Sequence, residues 1–399
     1  MIGRRLHRAG QGAAWLAALS LALAPPAFAA PAQTPAAVGE DDDAALYRPA
    51  DEDERGLWLQ MDDYERDRKN SPLVVQDEEL NDYVRGVLCR TVGQAKCRNV
   101  RLYIIRTPYF NASMAPNGMM EVWSGLLLRM ENEAQLATVL GHEYSHFEQR
   151  HSLRLFREAK EKSNAASWIS FIPFGFLAGL GLIGSIYKFS REMEHDADMG
   201  GLDFVARAGY DTRECAVIWE RLREEMDATA QARDTKSRKD KDGGLFASHP
   251  PSRERVEDLR KAAAANPGTP GNDGAARYRA ALAHIWPEFV DDQLKMNDFG
   301  ASDFLLQNLG RDGWTPELLY ARGELYRRQG TPDALEKAAG FYSEAIEGGA
   351  QIAAAWRGRG LTRLKLGQAE AGRADLGEYL RRAPDAADRA MMAMMAGGQ

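Results

Sequence analysis

His142-Glu143-Tyr144-Ser145-His146 is the stretch from which the rest of the chain can be read. Its spacing is H-E-x-x-H. Residues four apart lie on one face of a helix, so His142 and His146 can point at one metal ion, with Glu143 placed to take a proton from a water held there. Zinc-dependent peptidases are built on this arrangement. The flanks suit a helix: Glu131 to Arg150 contains no Pro, Gly141 is its only Gly, and Leu136, Val139, Leu140 and Phe147 recur at helical spacing. The plainer alternative is two polar histidines on an amphipathic helix.

A catalytic zinc takes three protein ligands and keeps one position open. The best candidate for the third lies in the stretch Ser190-Arg191-Glu192-Met193-Glu194-His195-Asp196-Ala197-Asp198. Glu194 and Asp198 share a helical face. Glu194 can bind the metal, and Asp198 can accept a hydrogen bond from the second ring nitrogen of a ligating histidine. Glu192, His195 and Asp196 compete for the ligand role, but they face elsewhere when Glu194 and Asp198 face inward.

Four segments together carry a family resemblance. They are the H-E-x-x-H helix, the S-R-x-x-E-x-x-A-D run of Ser190, Arg191, Glu194, Ala197 and Asp198, the pair Asn111-Ala112 and Pro116-Asn117-Gly118, and Ser248-His249-Pro250-Pro251 with Arg253 and Arg255. Over Asp51 to Lys261 the chain resembles the HtpX/BepA family of zinc metallopeptidases, relatives of the CAAX prenyl protease. The resemblance implies an α+β fold, with a gluzincin-type, mostly helical peptidase domain holding a small β-sheet. It implies one Zn2+ per chain on His142, His146 and Glu194, with Glu143 as general base and Asp198 behind a ligand. It also implies that Asn111, Ala112, Gly118, Met119 and Met120 form an edge strand on which an extended substrate can pair; an ordinary core hairpin is the alternative. His249 would approach the zinc from its open side. There it could steady the oxyanion or fill the fourth position and hold the enzyme latent; otherwise it caps a helix. His151 reads as structural, and His284 carries no signal.

Local patterns predict helices over Asp51–Lys69 and Glu78–Cys89. They predict a strand over Val100–Ile105 and an antiparallel neighbour over Gly118–Trp123. Arg4, Arg5 and Arg8, an uncharged run from Ala13 to Ala24 and Ala27-Phe28-Ala29 read as a signal peptide over 1–29 that directs the chain to a bacterial periplasm. A flexible acidic leader over 30–50 follows. In an oxidising compartment Cys89 and Cys97 can close a short disulfide loop, with Cys215 left free and buried; three unpaired core cysteines are the rival reading. The formal net charge of −7 and the mixed signs of Lys236 to Lys241 give no nucleic-acid signature.

No charge occurs between Lys162 and Lys188. Three readings stay open for residues 165–187: a buried helical hairpin, a lid over the cleft, or a loop that makes peripheral contact with a membrane. One spanning helix is excluded if His146 and Glu194 share a metal.

The peptidase domain is expected over 51–262 and a Pro/Gly-rich linker over 263–275. An all-α tetratricopeptide-like repeat domain is expected over 276–386, with a tail over 387–399. Leu319, Gly323, Gly330, Ala338, Tyr342 and Ala345 recur as Trp356, Gly360, Gly367, a position near Gly372, Leu376 and Tyr379, with Pro384 where a repeat ends. The functional expectation is a periplasmic zinc metalloendopeptidase for misfolded or stalled envelope and outer-membrane proteins, linked through its repeats to the outer-membrane assembly machinery. The alternative is a chaperone or adaptor for outer-membrane protein assembly with latent proteolysis.

Overall fold

The computed structural model describes residues 47–162, 189–239, 249–349 and 352–397. The expected signal peptide, most of the acidic leader, the apolar run 165–187 and Ser248 lie outside the described residues. The leader expected over 30–50 is shorter than read, because Tyr47 is tied to the folded domain. Tyr47 N donates to Asn99 Oδ1 at 2.9 Å, and its ring lies edge-on to Phe147 at 4.9 Å.

Helix α1 (Glu52–Lys69) starts at Asp51, whose side chain accepts from Glu54 N. α2 (Glu78–Val92) starts in the same way at Asp77. Short α3 (Gln94–Cys97) follows a turn at Gly93 and is tied back to α2 by a Cys89–Cys97 disulfide. Cys215 is free and buried.

β1 (Arg101–Ile105), β2 (Ala112–Met114) and β3 (Met119–Trp123) form one sheet in the order β1-β3-β2. β2 and β3 are an antiparallel hairpin with Ala112 opposite Val122, closed by a turn in which Gly118 has φ 88°. β1 runs parallel to β3, with Arg101 opposite Met119. This corrects the antiparallel pairing expected of Val100–Ile105 and Gly118–Trp123. The tight turn lays β2 on one edge of β3, so the preceding strand takes the other edge and runs in the same direction as β3. It also corrects the substrate-edge reading. Met119 and Met120 lie on the central strand and Gly118 in the turn, while Ala112 begins the edge strand β2 and Asn111 just precedes it, its carbonyl accepting from Trp123 N.

The chain continues through α4 (Ser124–Arg129), α5 (Glu133–Glu148), α6 (His151–Lys162), α7 (Arg191–Arg207), α8 (Glu214–Ala232) and α9 (Arg253–Ala265). α10 (Ala275–Leu282), α11 (Trp286–Lys295) and α12 (Phe299–Leu309) come next. α13 (Pro316–Gln329), α14 (Pro332–Glu347), α15 (Ala353–Lys365), α16 (Ala369–Arg382) and α17 (Arg389–Met395) complete the described helices. None of them is long and apolar enough to cross a membrane.

The boundary expected over 263–275 moves. Ala262 to Ala265 are the last turn of α9, as an alanine run favours. The rest is not loose: Asp211 N donates to Asn272 O at 3.1 Å and Ala134 N to Asp273 O at 3.0 Å. One apolar core runs from Leu80 through Leu140 and Trp219 to Phe289, Leu306 and Leu325, so the helices after α9 share the core of those before it. Smaller cores surround Tyr342 and Leu376. The tail expected over 387–399 is also partly folded, since α17 buries Met392 against Leu376 and Tyr379.

α13 packs on α14, α14 on α15 and α15 on α16. Gly323 and Gly358 flank the Tyr342 ring so closely that a Cβ would fall 2.7 Å and 2.4 Å from ring atoms. Gly360 meets Leu376 similarly, at 2.9 Å. Gly330 and Gly367 follow α13 and α15 with φ 74° and 78°, the left-handed stop that glycine takes without strain. Spacing and packing thus repeat together.

Candidate active site

Helix α5 carries His142, Glu143 and His146, all buried. Asn132 starts it, its Oδ1 accepting from Gln135 N at 2.9 Å. α7 crosses α5 and carries Glu194 and Asp198, with Ser190 at its N-terminus accepting from Met193 N. Glycines set this crossing. A Cβ on Gly141 would lie 3.3 Å from Gly201 O, one on Gly201 3.0 Å from His142 N, and one on Gly200 2.2 Å from Ser145 Oγ. The two backbones therefore touch, and the side chains one turn along each helix meet.

His146 Nε2 lies 3.1 Å from His142 Nε2 and 3.5 Å from Glu194 Oε1. His142 Nε2 lies 3.7 Å from Glu194 Oε2. His249, just before α9, brings Nδ1 to 3.2 Å from His142 Nε2 and 2.8 Å from Glu194 Oε1. His142, His146, Glu194 and His249 thus form one buried cluster of potential ligand atoms. Among the described residues it is the only such group found.

The cluster fits a divalent cation. Three imidazoles converge on one point, and facing ring nitrogens cannot all donate to one another. Zinc–ligand bonds of about 2.0–2.2 Å in a tetrahedron separate neighbouring donors by roughly 3.3 Å, which is the spacing seen. Glu192, His195 and Asp196 are not part of the cluster.

The ligands are held from behind. Asp198 Oδ1 lies 2.9 Å from His142 Nδ1. Arg255 forks onto Asp198, with Nε to Oδ2 and Nη2 to Oδ1 both at 2.7 Å, and its Nη1 reaches Glu194 Oε2 at 2.9 Å. Its guanidinium lies 4.0 Å from the Trp219 ring centroid. His151 Nδ1 is 2.8 Å from His146 Nδ1, and Phe189 stacks on His146 at 4.0 Å. His151, read from sequence as structural, therefore backs a ligand. Neither Phe189 nor Trp219 was legible as a site residue, because only the tertiary fold brings them there. Arg255 was visible only as part of a motif.

Burial raises the Glu143 carboxyl above its ordinary range, opposed by His249 and His142. For Glu194 burial acts in the same direction, but His249 and Arg255 outweigh it and hold the carboxyl well below that range. Asp198 is likewise lowered, with Arg255 outweighing burial. Burial pushes His146 well down. Glu143 Oε1 lies 3.5 Å from His249 Nε2, at the rim of the cluster.

A helix pair presenting two histidines and a distant glutamate to one point, with a second glutamate alongside, defines a metallopeptidase domain. Residues 75–263 match Peptidase family M48, in keeping with this metallopeptidase-like site. The chain is similar to the beta-barrel assembly-enhancing protease of Escherichia coli (strain K12), 26% identical over 265 residues, covering 62% of this chain and 51% of that protein. It is also similar to mitochondrial metalloendopeptidase OMA1 of Schizosaccharomyces pombe, 30% identical over 191 residues, covering 45% of this chain and 52% of that protein. The chain spans about half the length of these curated relatives.

Proposed function

We propose that the chain is a zinc metalloendopeptidase of the bacterial periplasm that hydrolyses peptide bonds in misfolded or stalled envelope proteins, including those bound for the outer membrane. The observation that carries this reading is the convergence of His142, His146 and Glu194 with Glu143 at the rim. His142, His146 and Glu194 would hold the zinc. When bound, zinc polarises a carbonyl and makes water a stronger acid. Glu143 accepts the proton of the attacking water and returns it to the leaving amine. Asp198 and Arg255 keep His142 and Glu194 oriented throughout. Ala112, on the edge strand β2, offers backbone groups on which an extended substrate can pair, whereas the Asn111 carbonyl already accepts from Trp123 N.

The compartment rests on the signal-peptide pattern over 1–29. The substrate class rests on that pattern and on the name of the Escherichia coli relative. The repeated Gly323/Tyr342 and Gly360/Leu376 packing supports reading α13–α16 as tetratricopeptide-like, a surface that holds protein segments or the outer-membrane assembly machinery.

His249 favours a second reading. It fills the remaining corner of the cluster, so it must swing aside before a substrate carbonyl can enter, after which it can donate to the oxyanion. With His249 in place proteolysis is latent, and the helical region acts as a chaperone or adaptor. Digestion of casein by wild type and Glu143→Gln, with and without chelator, tests the proposal. Chelator-sensitive cleavage lost in Glu143→Gln supports it. Wild-type cleavage that survives zinc removal refutes it. An envelope phenotype that survives Glu143→Gln intact assigns the adaptor role instead.

A further inference from the structure

The two histidines of α5 are backed differently. His142 Nδ1 faces the Asp198 carboxylate at 2.9 Å, whereas His146 Nδ1 faces a second imidazole, with His151 Nδ1 at 2.8 Å. Two ring nitrogens at that distance share one proton, so one donates and the other accepts. The cluster decides which. His146 Nε2 points at His142 Nε2 and Glu194 Oε1, and a nitrogen that binds a metal offers a lone pair and carries no proton. A neutral His146 then keeps its proton on Nδ1 and donates it to His151 Nδ1. His151 in turn carries its own proton on Nε2.

That assignment has a cost. His151 is fully buried, and its Nε2 has no hydrogen-bond partner among the described residues. A buried N–H without an acceptor destabilises a fold, so a histidine kept for packing alone gains nothing from standing here. The backbone also enforces the approach. Arg150, between α5 and α6, has φ 55°, a left-handed conformation uncommon in residues other than glycine and one that clusters at functional sites. It turns the chain so that the first residue of α6 folds back on His146, five positions earlier. Arg150 is held from the N-terminal side: its Nη1 lies 3.6 Å from Glu54 Oε2, and its guanidinium stands 5.1 Å from the centroid of the Tyr47 ring.

We infer that His151 is a positioning residue for the metal ligand His146. Its ring, protonated on Nε2, accepts from His146 Nδ1 and so fixes His146 with a bare Nε2 facing the cluster. The inference rests on the peptidase reading and adds to it the group that orients the second histidine. Left-handed Arg150, clasped by Glu54 and Tyr47, sets the position of His151 in its turn.

The test compares His151→Asn with His151→Leu in the full-length protein. The two replacements are close in size, but only asparagine can put an acceptor oxygen where Nδ1 stands. Zinc affinity is measured by competition with a metal indicator. His151→Leu should bind zinc about 10–100-fold more weakly than wild type, and His151→Asn should restore most of the loss. As a second measurement, side-chain nitrogen NMR of zinc-loaded wild type labelled at histidine should show His151 protonated on Nε2 and bare on Nδ1, which keeps the inference testable if a variant fails to fold. Equal zinc affinity in the two variants, or a His151 protonated on Nδ1, overturns the inference and leaves the peptidase reading intact. A wild type that binds no zinc overturns both.

Discussion

Gly201 sits against His142, with the space for its missing Cβ ending 3.0 Å from the His142 backbone nitrogen. The H-E-x-x-H helix and the glutamate helix approach each other through that point. The glycine is therefore as much a condition of the site as the ligands, although it binds nothing.

A Gly201→Val substitution should wedge α5 from α7. Overpacking of this kind costs roughly 1–3 kcal/mol, and the displaced Glu194 should weaken zinc binding. Urea unfolding and competition with a metal indicator measure the two effects. Wild-type values for both would show that the helices can separate without consequence.

Removing the Arg255 fork leaves Asp198 and Glu194 as buried carboxylates short of a partner. Arg255→Ala should destabilise the fold by about 3–5 kcal/mol. Arg255→Lys should recover only part of this, because an ammonium cannot span both Asp198 oxygens. The milder Asp198→Asn should lower zinc affinity about 10–100-fold. Calorimetric melts and metal titration read these outcomes.

Acid sensitivity should trace in part to Glu133. This buried carboxylate accepts from Arg277, Tyr210, Tyr83 and Arg90. Burial raises its pKa, but these partners outweigh burial and hold it below the ordinary carboxylate value. A depressed folded pKa contributes stability above the unfolded value of about 4.3, and that stability is lost as pH falls through the folded value. Glu133→Gln should therefore be less stable than wild type at pH 7, with the gap closing in acid. A urea-midpoint difference that is constant from pH 7 to pH 3 would contradict this.

Tyr342, clasped by Gly323 and Gly358, should report on the C-terminal helices alone. Gly358→Ala drives a methyl group into the ring and should loosen α14 and α15 while zinc binding stays at the wild-type level. Hydrogen exchange resolves the location. Faster exchange confined to α5 and α7 would be the contrary result.

Much of the site was legible because its elements are helical. The i, i+4 rule places His142 with His146 and Glu194 with Asp198, and Ser190 marks the phase of α7 by starting it. The sheet was harder. β2 has three residues, too few for alternation to announce a strand, so the parallel course of β1 was missed. The Pro and Gly residues that break the helix begin only after Asn266, whereas the alanines before it favour helix. Those alanines extend α9 by a turn, and the core passes straight on to Tyr278 and Phe289. His151, Phe189 and Trp219 belong to the site only through tertiary packing, which no spacing rule reaches.

The central claim is tested most directly by the zinc content of the purified full-length protein after reconstitution and dialysis, measured beside Glu194→Ala. One zinc per wild-type chain, with the variant largely depleted, is the predicted result. An empty wild type, or a Glu194→Ala protein that holds zinc as tightly, would contradict it.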